Sequence, residues 1–575
     1  MTTRLRTRDP HPSGSGTPTG SRHDVTHPAK SHHKSAVPTS GTTFSGSHSD
    51  ATQTRHHPPR QTPQDTLWLL VALLLSLALR IPFFNIPMIH DEGGYAYATR
   101  GWLDGSGHLY DDLWISRPQG IFILYGIVFK SIGESVWALR FTAWIFAALT
   151  VYAIWLLARR WTSPRVANLA ATIGAVTLAL PNIEGFTANA EGFMGMPLAF
   201  AAFWLVRQAQ VQWSMRQLVG VGVLIGIGTL LKPSGVVMLF TAFAFILMVG
   251  EGPRKQRLRY CGAVFAGISL VGILTLLHGW YLGWNDFIYA TVTYRLTLQS
   301  SATVSLLHHL QSLGSMAWNT AALIGLILVI LAFRTLYPAP IIQDRLRAVR
   351  ARWTPRIFLI SHLRHHRGLT PRQTAGLMIQ LWAIGALAGI AMGGDWWSHY
   401  LIQIAPPFAL WLAWNLDLIS RALCRWKRCL FILMSCTLLM LPYAIIVDGP
   451  AAMLARLYGH PGYPAQAQVA RYIQDHTTPD DTIYVAFDQA AIYYLSDRKP
   501  AYRHLYDQEL RALPNSYADI IAIIRSDNRP LYIVSTLHPG PFPDDSRAFW
   551  REVGQYYDIE TTIDGVPIYR AKDAP

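Results

Sequence analysis

The feature that most constrains this chain is a succession of eleven apolar runs, each long enough or nearly long enough to cross about 30 Å of hydrocarbon as a helix. They lie at roughly Thr66–Phe84, Val136–Leu157, Val166–Leu180, Gly192–Val206, Leu218–Leu231, Gly235–Val249, Tyr260–Leu277, Ala317–Phe333, Ala375–Met392, Tyr400–Leu416 and Cys429–Val447. Composition agrees: of 575 residues, 51% are hydrophobic and only 14% charged, too apolar for an ordinary soluble enzyme of this length. The expected fold is an all-α polytopic membrane bundle, residues 66–447, with a different kind of domain on either side.

A twelfth stretch, Gln119–Ile132, is short, and the basic residues decide how to count it. Lys and Arg concentrate in short cytoplasmic loops. With eleven spans and a cytoplasmic N-terminus, Arg159, Arg160 and Arg165, then Arg207 and Arg216, then Arg254, Lys255, Arg257 and Arg259 all fall inside. The loop carrying Arg345, Arg347, Arg350, Arg352, Arg364 and Arg367, and the cluster Arg421, Arg425, Lys427 and Arg428, fall inside too. Twelve spans would put most of these clusters outside, so Gln119–Ile132 is expected to lie on or dip into the outer interface. The net charge of +15 is therefore a set of membrane anchors facing lipid headgroups, and a nucleic-acid partner is excluded. The four cysteines, Cys261, Cys424, Cys429 and Cys436, lie in apolar runs or basic loops, which argues against disulfides and cysteine metal sites.

Residues 1–65, rich in Ser, Thr, Pro, His and Arg, have no apolar periodicity and read as a disordered cytoplasmic tail. That tail is too long for the charged start of a signal peptide, so the run near Thr66 reads as a true first span. From Asp448 the pattern changes. Helical stretches alternate with strand-like Thr482–Phe487 and Leu531–Ser535, and the last segment alternates around Asp564-Gly565, a hairpin signal. Residues 448–575 are expected to form a small extracytoplasmic α/β domain, a lid or acceptor platform.

The same topology sends the carboxylates outward. His90-Asp91-Glu92-Gly93-Gly94-Tyr95 follows the first span, and Asn189-Ala190-Glu191 opens a helix on the same face. Carboxylates there can take a proton from a hydroxyl or bind a divalent cation; they can also simply cap the helices that follow. Outer cations are scarce and include Arg117, Arg140, Lys232 and Arg295, any of which suits a phosphate or an ordinary headgroup. Asp395, Trp396, Trp397, His399 and Tyr400 form a late outer turn, the tryptophans being interfacial anchors.

These residues carry a resemblance. The acidic pair Asp91-Glu92, Arg117-Pro118-Gln119-Gly120 before a short outer helix, Ala138-Leu139-Arg140, Leu157-Ala158-Arg159-Arg160, Leu231-Lys232-Pro233, and His399-Tyr400-Leu401 with Pro406-Pro407 resemble the polyprenyl-phosphate-dependent C-type glycosyltransferases. This group, family 39, includes protein O-mannosyltransferases and lipid A aminoarabinose transferases. The resemblance implies an outward-facing site, a polyprenyl-phosphate-linked sugar donor, and inversion at the anomeric carbon. It makes Asp91 the general base or acceptor-orienting carboxylate, beside Glu92, with Glu191 its partner in the second loop. Arg117, Lys232 and His399, with Arg140 and Tyr400, would bind the carrier phosphate or sugar. Aminoarabinose transferases have aspartate where this chain has Glu191, and the extra lumenal domains of eukaryotic protein mannosyltransferases have no counterpart here, which favours a lipid or cell-envelope glycan acceptor. The rival readings are a transporter, which would place ionisable groups near the midplane, and a non-catalytic envelope assembly protein.

Overall fold

A computed structural model describes residues 62–296, 306–336, 369–393, 396–449 and, between 452 and 573, all but a few short stretches. These residues fall in one unit, Arg55–Pro575. The N-terminal tail up to residue 61, the basic loop from Arg345 to Arg367, and Asp395 lie outside the described residues.

A helix occupies each of the eleven expected runs. Five are long and apolar enough to cross a membrane: Pro63–Phe83, Val136–Trp161, Arg254–Leu296, Pro371–Ala391 and Arg425–Ala444. A sixth counts if Leu310–Asn319 and Ala321–Leu336, bent by 77°, form one span. The expected eleven is therefore reduced to five or six by length and composition among the described residues. The others fall short for local reasons. Lys232-Pro233 breaks one apolar stretch into Met215–Leu231 and Val237–Val249, and the helix Ala190–Gln210 carries Glu191 at one end, Arg207 at the other and Pro197 inside.

For the site, α1 is Pro63–Ala78, α2 His90–Asp104, α3 Gly120–Ser131, α4 Val136–Trp161, α5 Pro164–Thr177, α6 Ala190–Gln210 and α7 Met215–Leu231. At 1.5 Å per residue α3 is about 18 Å long, too short to span, as expected for the stretch after Gln119. It is anchored at both sides: at Gly120 any Cβ would run into the backbone of Leu230 at the end of α7, and Tyr125 Oη donates to the carbonyl of Ala188, 2.9 Å away.

The C-terminal part carries a five-stranded sheet: β1 (Thr482–Ala486), β2 (Lys499–Pro500), β3 (Tyr532–Ser535), β4 (Tyr557–Ile563) and β5 (Val566–Ala571), in the order β2-β1-β3-β5-β4. Strands β1 to β3 are parallel, and β4 and β5 close an antiparallel hairpin whose turn residues, Asp564 and Gly565, both have positive φ. Alternate residues of β1 feed two cores. Ile483 and Val485 pack with Val469 and Ile568; Tyr484 and Ala486 pack with Ile524 and Phe549.

This sheet domain rests on α2. Gln466 Nε2 donates to the carbonyl of Met88 at 2.7 Å, Tyr506 Oη donates to that of His90, and the His90 ring bonds the Tyr463 hydroxyl. The Gly93-Gly94 pair explains how α2 comes so close: a Cβ at Gly93 would overlap the backbone of Ala491, and one at Gly94 would overlap the Tyr506 hydroxyl. Gly93→Val is therefore expected to lift the sheet domain from α2. Limited proteolysis would show faster release of a C-terminal fragment, and an unchanged cleavage rate would show the contact to be dispensable.

Candidate active site

Two carboxylates adjacent in sequence have different environments. An α-helix turns about 100° per residue, so at the start of α2 successive side chains point in different directions and meet different partners. Glu92 faces inward and is 1% exposed. Its Oε1 accepts from Arg140 Nε at 3.0 Å and from the Ala188 amide at 2.7 Å; its Oε2 accepts from Arg140 Nη2 at 2.6 Å and from the Ile89 amide at 3.1 Å. Arg140, fully buried on α4, spends its remaining donors on the carbonyls of Phe83, Ile86 and Pro87. Every nitrogen of its guanidinium is engaged. This corrects the expectation that Glu92 is a catalytic carboxylate and Arg140 a ligand-binding cation: each is saturated by the other and by backbone. What they do is staple the chain after α1, the start of α2 and the loop before α6 into one frame.

Asp91 faces the other way. Arg117 Nη2 lies 3.8 Å from Asp91 Oδ2. Arg117 is itself set by Tyr95, whose hydroxyl accepts from Nε at 3.0 Å, while Arg295 donates to the Ser116 carbonyl at 2.8 Å. Burial alone would raise the Asp91 pKa, but the charges of Arg117, His90, His399 and Lys232 outweigh it and hold the carboxyl below the usual carboxylate range. Asp91 is thus held as an ionised carboxylate, with Arg117 beside it.

The second loop adds further charged groups. Lys232, where the apolar run breaks before Pro233, forms an ion pair with Glu191 at the start of α6, and its ammonium lies 4.0 Å from the centre of the Tyr400 ring. His399 bridges two carboxylates, Nε2 lying 3.5 Å from Glu191 Oε1 and Nδ1 3.4 Å from Glu184 Oε2. The structure therefore brings Asp91, Arg117, Glu191, Lys232, His399 and Tyr400 into one cluster and pairs Glu92 and Arg140 with each other apart from it.

Sequence reasoning left two residues out of this site. Glu184 is among the outward carboxylates, but its role depends on a positive φ of 57° that follows a short 3-10 turn, Pro181–Ile183, and residue type alone does not show it. Arg80, at the outer end of α1, donates to the carbonyls of Leu178 and Gly185 and to Ser76 Oγ. It pins the loop that presents Glu184, and its position against the positive-inside bias was the available signal. A divalent cation fits this site poorly: the carboxylates of the cluster already face arginine, lysine and histidine. Among the described residues no group of three or more His, Cys, Asp or Glu side chains is arranged to hold a metal.

The family model for dolichyl-phosphate-mannose-protein mannosyltransferases matches residues 116–278. No curated protein matches the sequence significantly. Among solved structures, ArnT from Cupriavidus metallidurans bound to undecaprenyl phosphate is similar, with TM-score 0.52 and 14% identity over 89% of this chain and 98% of ArnT. The same protein in the apo state gives TM-score 0.53 and 13% identity over 88% and 98%. The matched family model over residues 116–278 and the fold shared with ArnT make this multi-pass membrane chain similar to the C-type glycosyltransferases that its motifs resemble.

Proposed function

We propose that this enzyme transfers a sugar from a polyprenyl-phosphate donor to a hydroxyl of a lipid or cell-envelope glycan, at the outer face of the cytoplasmic membrane and with inversion. The reading keeps the eleven-span topology, with residues 1–65 inside, 66–447 in the membrane and 448–575 outside. The observation that carries it is the pairing of an ionised Asp91 with Arg117 in a cluster that also holds Lys232 and His399. Asp91 accepts the proton of the acceptor hydroxyl as its oxygen attacks the anomeric carbon. The bond from that carbon to the phosphate oxygen breaks on the opposite side, which inverts the centre, and the electron pair leaves with polyprenyl phosphate. Arg117 and Lys232 neutralise the charge that develops on the phosphate. Glu191 and Glu184, through His399, hold Lys232 and the loop in position. The undecaprenyl phosphate bound by the fold relative ArnT supports the donor class.

The test is transfer of radiolabelled sugar, in membranes, from a panel of polyprenyl-phosphate sugars. The native chain is expected to use at least one donor, and transfer from none overturns the reading. Arg117→Met adds a pH signature. Asp91 works ionised, and Arg117 is among the charges that hold its pKa down, so removing Arg117 raises that pKa. The acid limb of the pH profile should then move to higher pH, with the residual rate lower throughout. An unmoved limb would show that Asp91 does not govern it.

A further inference from the structure

Asn189 sits at the N-cap of α6 with the extended backbone usual there, φ −73° and ψ 155°, yet its side chain makes no capping hydrogen bond. Elsewhere in this chain Thr62, Ser135 and Thr370 use the same position in the ordinary way, each accepting from a backbone amide three residues on. The Asn189 carboxamide does not bond the amides of its own helix. It is 1% exposed, and neither Oδ1 nor Nδ2 has a hydrogen-bond partner among the described residues. A buried amide without partners is costly, because it gives up its bonds to water and receives nothing in exchange.

The surroundings show why this strain is not relieved by a small shift. The preceding residue, Ala188, is held from both sides: its amide donates to Glu92 Oε1 at 2.7 Å and its carbonyl accepts from Tyr125 Oη at 2.9 Å. Two residues further on, Glu191 is fixed by Lys232 and His399. Asn189 therefore lies where the staple behind Asp91 meets the Glu191 cluster, a backbone position with little freedom. An unpaired carboxamide offers one donor and one acceptor side by side, the pattern that adjacent hydroxyls of a sugar ring satisfy.

We propose that Asn189 binds two neighbouring hydroxyls of the sugar being transferred and so helps to determine which sugar is accepted. The assignment rests on the sugar-transfer reading above. A site built to hydrogen-bond a substrate group rejects analogues that lack it, because its own buried groups are left unpaired.

The experiment uses the full chain in membranes and compares native, Asn189→Ala and Asn189→Leu on a polyprenyl-phosphate sugar that the native protein uses and on its single-deoxy analogues. Both variants should lower kcat/KM for the complete sugar by about 10- to 100-fold. On the deoxy analogue that lacks the hydroxyl read by Asn189, native and variants should converge. The melting temperature of the ligand-free protein in detergent should be unchanged or raised, since an unpaired polar group has been removed. A lowered melting temperature with equal losses on every analogue would make Asn189 structural and overturn the assignment. Unaltered kinetics would assign its partners to water, with the same result. If the native protein transfers from no donor, the transfer reading fails and takes this one with it; native transfer with unaltered variants sinks this one alone.

Discussion

Asp91→Asn will lower sugar transfer by about 10²- to 10⁴-fold, the range for losing a general base, while the protein still folds. The substitution keeps shape and removes only the negative charge and the proton-accepting oxygen. Asp91 is not built into the frame; among the described residues the geometry gives it one ion pair, the 3.8 Å contact with Arg117. Expression, detergent extraction and melting temperature should match the native chain. The measurement is the initial rate of transfer per folded protein. Retention of more than about a tenth of the native rate would reduce Asp91 to an acidic helix cap, worth some tenths of a kcal/mol to α2 and nothing to chemistry.

Arg140→Ala, which alters a residue bonded to the very next side chain, will do the opposite and prevent folding. Removing one partner of a buried ion pair costs about 3–5 kcal/mol. Here the loss is compounded, since the carbonyls of Phe83, Ile86 and Pro87 are left without their donor beside an unpaired Glu92. That is a large part of the ~5–15 kcal/mol by which a folded protein is usually stable. Size-exclusion chromatography of solubilised membranes should show aggregate in place of a monodisperse peak, and Glu92→Ala should behave alike. A monodisperse Arg140→Ala protein with impaired transfer would instead return Arg140 to the substrate.

The contrast between these neighbours shows what was legible in the sequence. The orientation expected from the basic loops puts Asp91, Arg117, Glu191, Lys232, His399 and Tyr400 on one side, and these six lie close together in the structure. The division of labour between Asp91 and Glu92 was hidden, because residue type does not tell which of two successive helical positions faces the bundle. Arg140 was misread for a related reason: its partners are carbonyls 53 to 57 residues away, set by packing. The break at Lys232-Pro233 was legible as the gap between two apolar runs, and a helix occupies each; what hydropathy does not register is that both are shorter than a full span. The terminal hairpin was readable because Asp-Gly supplies two positive φ angles at low cost.

The contacts of α2 also fix an order of events. The helix bearing Asp91 precedes most of the described membrane helices, yet its start is seated against Tyr463, Gln466, Ala491 and Tyr506, which follow them. During synthesis these partners emerge only after the described membrane helices. The Asp91 cluster acquires its working shape only when the sheet domain has folded onto α2, so a chain that stops before that domain inserts its helices without assembling the wall that carries Asp91.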